Sequence, residues 1–328
     1  MSERKPLGAR ELGWAAVALA FGLVLLVALV LLLNLDLAEV GAALGRMGPL
    51  PLTLAFLTIV VHAGCSALKW ALVSARIPGT ERRGWTFYLG YTAVAGALAS
   101  VFTVHLSSIL VREVAVRAEG GRALEGAGAS LLEQLWDLAV LVVFAGATAG
   151  WLLLGGAWWG WMAGAAVLAS VAIVPVQALV RPQAVRLGER LARAPGAVGR
   201  VGAFLASPQG RLAFDPGLSA LLWIVSLVRY VAMGVRAIIV GFAVGLPVVP
   251  VLQGYTAVQA SQVLSLTPGN LGIGEWTWTG VLAVLGQDTE AAAVLSLVER
   301  VLTVGFFVLL ALVVMALRLA TRRRSSPA

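Results

Sequence analysis

The segment Thr267–Glu275 holds the residue types most able to form a site in this chain. It reads Thr-Pro-Gly-Asn-Leu-Gly-Ile-Gly-Glu and lies between two strongly apolar segments. Proline and glycine interrupt helices, and an interrupted backbone in lipid leaves amide and carbonyl groups that no water can satisfy. Such a break persists only where it is buried in protein or lines a polar cavity, and transporters bind their cargo at broken helices. The segment therefore predicts a binding site that includes Gly269, Gly272, Gly274 and Glu275.

Polar side chains inside the other apolar segments are further candidates. A charge at the centre of a bilayer costs about 2.5–3.5 kcal/mol on insertion scales, so such residues usually face the interior of a helix bundle. Glu133 and Asp137 lie one helical turn apart, and Arg229 and Arg236 lie two turns apart on one helix face. The remaining candidates are Glu275, Glu299, Arg300, Gln259 and Gln262.

Two interpretations of these charges stay open. They pair across helices only to fix packing, for example Arg229 or Arg236 with Glu133 or Asp137, or they bind a ligand. Arginines and carboxylates together suit a zwitterionic or phosphate-bearing headgroup, because a guanidinium group holds phosphate through two parallel hydrogen bonds. Amides at the start of the 271–285 helix would add the positive end of a helix dipole.

The elements that must position these residues are membrane helices. Hydrophobic residues make up 60% of the 328 residues and charged residues only 12%, and the mean hydropathy is +0.92. A soluble domain carries about twice that charged fraction. We therefore predict an all-α polytopic membrane protein: one membrane domain over 12–318, between short cytoplasmic tails at 1–11 and 319–328. The first apolar run, 12–33, is too long for a signal peptide and is predicted to be an uncleaved span.

Nine apolar segments are separated by linkers of unequal charge. Arginines concentrate in 74–85, in 181–214 and in the C-terminal tail, and three cations lie in the N-terminal tail, so the positive-inside rule places these four segments in the cytoplasm. The apolar segments lie at 12–33, 50–73, 86–111, 131–154, 157–180, 217–245, 248–268, 271–285 and 289–317.

The sidedness of these linkers limits how many segments cross. All four basic linkers reach the cytoplasm only if 86–111 and 248–285 enter the membrane and return without crossing it. This predicts six full spans plus two re-entrant elements that enter from opposite faces, as an inverted repeat would produce. In the competing interpretation, one of these basic loops lies on the non-cytoplasmic side of the membrane, against the positive-inside rule. The linker 181–214 itself is either an interfacial helix interrupted at Pro195-Gly196 or a partly disordered basic loop.

Several other functions find no support in the residues. His62 and His105 have no ligand at metal-binding spacing, so we expect no metal site. No nucleotide-binding or hydrolase motif occurs, and we expect no cofactor and no enzymatic activity. No basic segment is interleaved with aromatic residues, so we expect no nucleic-acid partner. Lys69 and Trp70, at the end of an apolar run, are predicted to be interfacial anchors.

The second half carries a recognisable motif: Pro268-Gly269-x-x-Gly272-x-Gly274-Glu275, then Gly286, then an alanine-rich helix with Glu299-Arg300. This motif resembles the C-terminal signature of the flippase-like transmembrane family, the membrane region of lysylphosphatidylglycerol synthases. The stretch Glu133–Asp137 is similar to the acidic helix of that family's first half. The likeness extends over about 10–318, although Thr103–Ser108 stands where family members usually carry a Pro- and Gly-rich turn.

The resemblance implies a lipid translocase or a lipid-transport role, and we expect the protein in the plasma membrane. Its expected partners are membrane lipids, and its substrate would be a phospholipid or a polyprenyl-linked lipid. Since only a short basic tail follows the last span, the aminoacyl transfer of the synthases is not implied. Two alternatives stay open: a non-catalytic subunit that presents a lipid to a separate transferase, and a small-solute transporter in which Glu133, Asp137 or Glu275 carries a proton.

Overall fold

A computed structural model of the chain describes residues 21, 23–33, 36–77, 80–99, 102–121, 123–212, 214–264 and 267–325. All regular structure in these ranges is helical and none is strand, which confirms the all-α polytopic prediction. Five helices of the described part are long and apolar enough to cross a membrane. The predicted first span, 12–33, is described only in part, and the N-terminal tail lies outside the described residues.

The helices follow one another in this order: α1 Leu23–Leu32, then α2 Leu37–Arg46, α3 Pro49–Ser74, α4 Trp85–Leu98, α5 Val104–Ala118, α6 Ala123–Leu154, α7 Trp158–Leu191, α8 Gly196–Ala206, α9 Pro208–Leu212, α10 Pro216–Ala243, α11 Val248–Leu264, the short 3-10 turn Pro268–Asn270, α12 Ile273–Val284 and α13 Thr289–Ser325.

The two segments predicted to be re-entrant each consist of two short helices around a break. Helices α4 and α5 have 14 and 15 residues, and α11 and α12 have 17 and 12, all shorter than the ~20 residues that span a bilayer. The first break contains neither proline nor glycine. Instead Thr103 caps α5, because its Oγ1 accepts a hydrogen bond of 3.3 Å from the amide of Leu106.

The first pair of helices returns to the end where it began. Arg83 precedes α4 and Glu119 follows α5, and Arg83 Nε lies 3.4 Å from Glu119 Oε2. Arg318, near the end of α13, donates to the same carboxylate. The segment is therefore a helical hairpin, as its predicted lack of a net crossing requires. Which side of a membrane it enters stays a prediction.

Helices α3 to α6 and α10 to α13 share one plan. Each set is a long helix, a short helix, a break, a short helix and a long helix, with lengths of 26, 14, 15 and 32 residues in the first set and 28, 17, 12 and 37 in the second. This order supports the predicted internal repeat, while the inversion between its halves stays a prediction.

The chain folds into two compact units, each built from separate stretches. Unit 1 contains Met1–Ile59, Ala95–Ser107 and Gly234–Leu309, and unit 2 contains Val60–Val94, Ser108–Met233 and Leu310–Ala328.

Unit 1 packs its short helices tightly. Helices α11 and α12 run antiparallel, because a Cβ added at Gly254 would lie 3.0 Å from Trp278 Cζ3, while the side chains of Ser261 and Asn270 meet at the break. A Cβ at Gly96 of α4 would lie only 2.4 Å from the ring of a phenylalanine on α13, so α4 also requires a glycine there. Close helix packing thus holds both breaks in this unit.

Unit 2 is built around an aromatic cluster. The ring of Trp70 lies 5.3 Å from that of Phe87 and 5.1 Å from that of Tyr88, and all three side chains are buried. In the same unit, α7 continues beyond the predicted end of its apolar run to Leu191. The chain then turns before α8 begins at Gly196, so the predicted interruption is present and the linker is helical on both sides of it.

Candidate functional site

The break between α11 and α12 requires residues that adopt a left-handed backbone. Gly269 and Asn270 both have φ of 57° and Gly272 has φ of 79°, conformations that glycine adopts freely and asparagine tolerates. The buried Asn270 side chain donates to Ser261 Oγ at 3.0 Å, and Thr267 Oγ1 donates to the carbonyl of Leu271 at 2.8 Å. The motif residues therefore build the break itself.

Arg300 of α13 closes this break. Its Nε donates to Glu275, and its two terminal nitrogens donate to the carbonyls of Gly269 at 3.2 Å and Asn270 at 3.3 Å. These carbonyls lost their helical partners at the break and would have no donor in lipid. One guanidinium group thus satisfies two freed carbonyls and neutralises a buried carboxylate.

Glu275 also caps its own helix. Its side chain is only 2% exposed, and its second oxygen accepts the amide of Gly272 at 2.8 Å. Because Gly272 has no side chain to return the bond, only this half of a capping box forms. The Gly272 amide, which the sequence offered to a ligand, is therefore occupied by Glu275.

The two breaks touch each other within unit 1. The amide of Gly269 donates to the carbonyl of Phe102 at 2.9 Å, which joins the break between α11 and α12 to the break between α4 and α5. A second ion pair lies in the same unit, where Nε and Nη2 of Arg236 donate to Glu299 Oε1 at 3.3 and 3.0 Å. In these two ion pairs of unit 1, each carboxylate has one cation.

Unit 2 contains a second group of charges, which we call the ionic network. It is a chain of alternating sign: Arg112–Glu133–Lys69–Asp137–Arg229. The contacts are 2.5 Å for Arg112 with Glu133, 3.7 Å for Glu133 with Lys69, 2.5 Å for Lys69 with Asp137 and 2.5 Å for Asp137 with Arg229. Lys69 Nζ also donates to Ser226 Oγ at 3.0 Å.

The ionic network is deeply buried at one end. The side chains of Lys69 and Arg112 are 0% and 2% exposed, whereas those of Asp137 and Arg229 are 21% and 17% exposed. The Arg112 guanidinium lies 4.9 Å from the centre of the Trp70 ring, a favourable cation–π contact. The Asp137 and Arg229 end is therefore the more exposed end of the network.

The predicted residues fall into separate groups. Gly269, Gly272, Gly274, Glu275 and Arg300 meet at the break, and Gly274 is so close to Asn270 that an added Cβ would lie 3.2 Å from its Nδ2. Arg236 and Glu299 pair with each other, and Arg229 joins Glu133 and Asp137 in the ionic network. Arg229 and Arg236, which lie two turns apart on α10, thus pair with different carboxylates. Gln259 and Gln262 lie half-buried on α11.

Two important residues were missed from sequence. The prediction of Lys69 as an interfacial anchor is wrong, since its side chain is fully buried between two carboxylates. Arg112 was placed just outside an apolar run, although α5 continues past it to Ala118. Among the described residues, no three His, Cys, Asp or Glu side chains converge as metal ligands.

Comparison with known families identifies the chain. The family described as lysylphosphatidylglycerol synthase TM region matches residues 14–311. Searches of curated proteins and of solved structures found no match. Because the match covers most of the chain, this protein belongs to the lysylphosphatidylglycerol synthase TM region family, as its resemblance predicted, and has a membrane lipid-related role.

Proposed function

We propose that this member of the lysylphosphatidylglycerol synthase TM region family is a lipid translocase. It passes the headgroup of a phospholipid or polyprenyl-linked lipid through a polar route while the acyl or prenyl chains stay in the bilayer. It acts without chemistry of its own, in the plasma membrane, with both termini in the cytoplasm.

The observation that carries this proposal is the contact between the two helix breaks. Backbone breaks in lipid are tolerated where protein buries them or where they line an aqueous cavity, and such breaks form the binding sites of secondary transporters. Here Gly269 and Phe102 bring both breaks together, and Glu275 and Arg300 add fixed charges beside them. A headgroup needs such polar groups because the hydrocarbon core offers it none.

The family's description also favours a second function, that of a membrane subunit holding a lipid for a separate transferase. The two functions differ in their products. A translocase changes the leaflet in which a lipid lies, whereas a presenting subunit changes which modified lipids the cell contains. Deleting the gene separates them, because the second function requires a modified lipid to disappear and the first does not.

Proton-coupled transport of a small solute gains less support. A proton carrier must lose its charge during the cycle. Glu275 is bound to Arg300, and Asp137 contacts both Lys69 and Arg229, so protonating either carboxylate would remove a counterion from the cations that it contacts.

Reconstitution in vesicles tests the translocase directly. The protein is placed in vesicles that carry fluorescent lipids with several headgroups, and a membrane-impermeant quencher reports the outer leaflet. We expect the protected fraction to fall faster than in empty vesicles. Exchange at the empty-vesicle rate for every headgroup would refute the proposal.

A further inference from the structure

We propose that Asn270 is a specificity-determining residue, whose side-chain carbonyl accepts a hydrogen bond from a hydroxyl group of the lipid headgroup. This rests on the proposed function, for which it names the substrate class: lipids whose headgroup carries a hydroxyl. Asn270 stands at one of the two positions that the motif Pro268-Gly269-x-x-Gly272 leaves open, between the residues through which the chain resembles its family.

The side-chain carbonyl of Asn270 is a buried acceptor. Only 5% of the residue is exposed. Its Nδ2 donates to Ser261 Oγ at 3.0 Å, and the Ser261 hydroxyl donates to the carbonyl of Val258 at 2.8 Å, so Nδ2 and not Oδ1 is the atom that faces Ser261. Within the described part of the chain, Oδ1 has no hydrogen-bond partner, although buried polar groups nearly always have one. The break therefore presents an acceptor that a ligand can satisfy.

The backbone of Asn270 is strained for a residue with a side chain. Among the described residues, it is the one non-glycine residue with positive φ, 57°, a conformation that glycine adopts freely. The turn alone would favour glycine at this position, and the bond to Ser261 uses only the nitrogen of the side-chain amide. Residues held in such conformations concentrate at ligand sites. Binding of a donor by Oδ1 accounts for the half of the amide that the fold does not use.

The neighbouring charge selects the kind of donor. Nη2 of Arg300 donates to the backbone carbonyl of the same Asn270 at 3.3 Å, so a guanidinium group already lies beside the acceptor. An ammonium headgroup bound by Oδ1 would lie close to this cation, and like charges so placed repel each other. A hydroxyl group donates a hydrogen bond without carrying charge. A methyl group has no hydrogen to donate and leaves Oδ1 unsatisfied.

Three labelled phospholipids that differ in one group test this assignment. Their hydroxyethyl, propyl and aminoethyl headgroups have nearly the same size and end in a hydroxyl, a methyl and an ammonium group. Each lipid is measured in the vesicle exchange assay, and its rate in empty vesicles is subtracted. We expect the hydroxyl lipid to exchange at least about fivefold faster than the methyl lipid, and faster than the ammonium lipid. Equal rates for the hydroxyl and methyl lipids overturn the proposal, and a water molecule that stays on Oδ1 would produce that result. Faster exchange of the ammonium lipid than of the hydroxyl lipid overturns it too.

Two substitutions separate recognition of the headgroup from the structural role of the side chain. Asn270→Gly removes Oδ1 and suits the positive φ, so we expect the rates for the hydroxyl and methyl lipids to become equal. Ser261→Ala removes only the acceptor of Nδ2, so we expect the preference for the hydroxyl lipid to remain. If Asn270 only holds the break together, the two variants lose or keep the preference alike, and either result overturns the proposal.

The comparison of lipids on the unaltered protein keeps the proposal falsifiable if a variant fails to fold. A second measurement separates it from the translocase: a fluorescent short-chain hydroxyethyl lipid is bound to the protein in detergent and displaced by unlabelled hydroxyethyl and propyl lipids. Stronger displacement by the hydroxyethyl lipid, without vesicle exchange of any lipid, refutes the translocase and leaves the role of Asn270 standing. Exchange of the three lipids at one common rate refutes that role and leaves the translocase standing.

Discussion

Replacing Arg300 with methionine tests how the break between α11 and α12 is held together. The substitution keeps an unbranched side chain but removes every hydrogen bond of the guanidinium. It leaves the Glu275 carboxylate, 2% exposed, without its cation and the carbonyls of Gly269 and Asn270 without their donor.

The expected loss of stability is about 5 kcal/mol. Removing one partner of a buried ion pair costs about 3–5 kcal/mol, and the lower end applies because the Arg300 side chain is 24% exposed. Each carbonyl that loses its hydrogen bond adds about 1 kcal/mol. Adding Glu275→Gln removes the stranded charge and keeps an acceptor for the Gly272 amide, so the double variant should recover about 2–3 kcal/mol.

Unfolding in mixed micelles, followed by tryptophan fluorescence, measures these differences. The chain has 11 tryptophans, so the signal is strong. Arg186→Met is the matched control, an exposed arginine of α7 whose loss should cost no more than about 0.5 kcal/mol. The reasoning fails if Arg300→Met is as stable as this control, or if Arg300→Met with Glu275→Gln is no more stable than Arg300→Met alone.

Two further predictions concern the backbone and the topology. Gly272→Ala should destabilise the protein by about 1–3 kcal/mol, because φ is 79° there. Gly64→Ala, in the middle of α3, should be neutral or slightly stabilising, because an added Cβ there meets nothing within 4 Å. Equal effects of the two substitutions in the same unfolding assay would contradict this prediction. In a cysteine-free background, cysteines introduced at positions 81 and 190 should react with a membrane-impermeant reagent from the same side of the membrane, and a cysteine at position 157 should react from the other side. Labelling of all three positions from one side would exclude the proposed topology.

Local sequence patterns predicted those parts of the fold that depend on local chemistry. The proline and glycines after Thr267 predicted the second break, because few other residues adopt positive φ. The first break was predicted only from the charge of the linkers. Its local signal is Thr103, whose hydroxyl caps α5, but threonine is common in apolar helices and a single cap is easily overlooked.

The pairing of charges could not be read from the sequence. Lys69 and Asp137 are 68 residues apart, so only the tertiary structure brings them together. A lysine near the end of an apolar run suits an interfacial anchor and a buried partner equally well, because both keep the ammonium group out of hydrocarbon. Arg300 and Glu275 were both recognised as candidates. The two carbonyls that Arg300 also binds are backbone groups, which every residue has, so the residue types do not identify them.

The bond from the Gly269 amide to the Phe102 carbonyl belongs entirely to the main chain. The side chain of Phe102 can therefore be exchanged without deleting the acceptor, whereas position 269 requires a residue that tolerates positive φ, and proline there would remove the N–H itself. Substitutions at Phe102 can therefore change the surroundings of the two breaks and leave the joint between them in place.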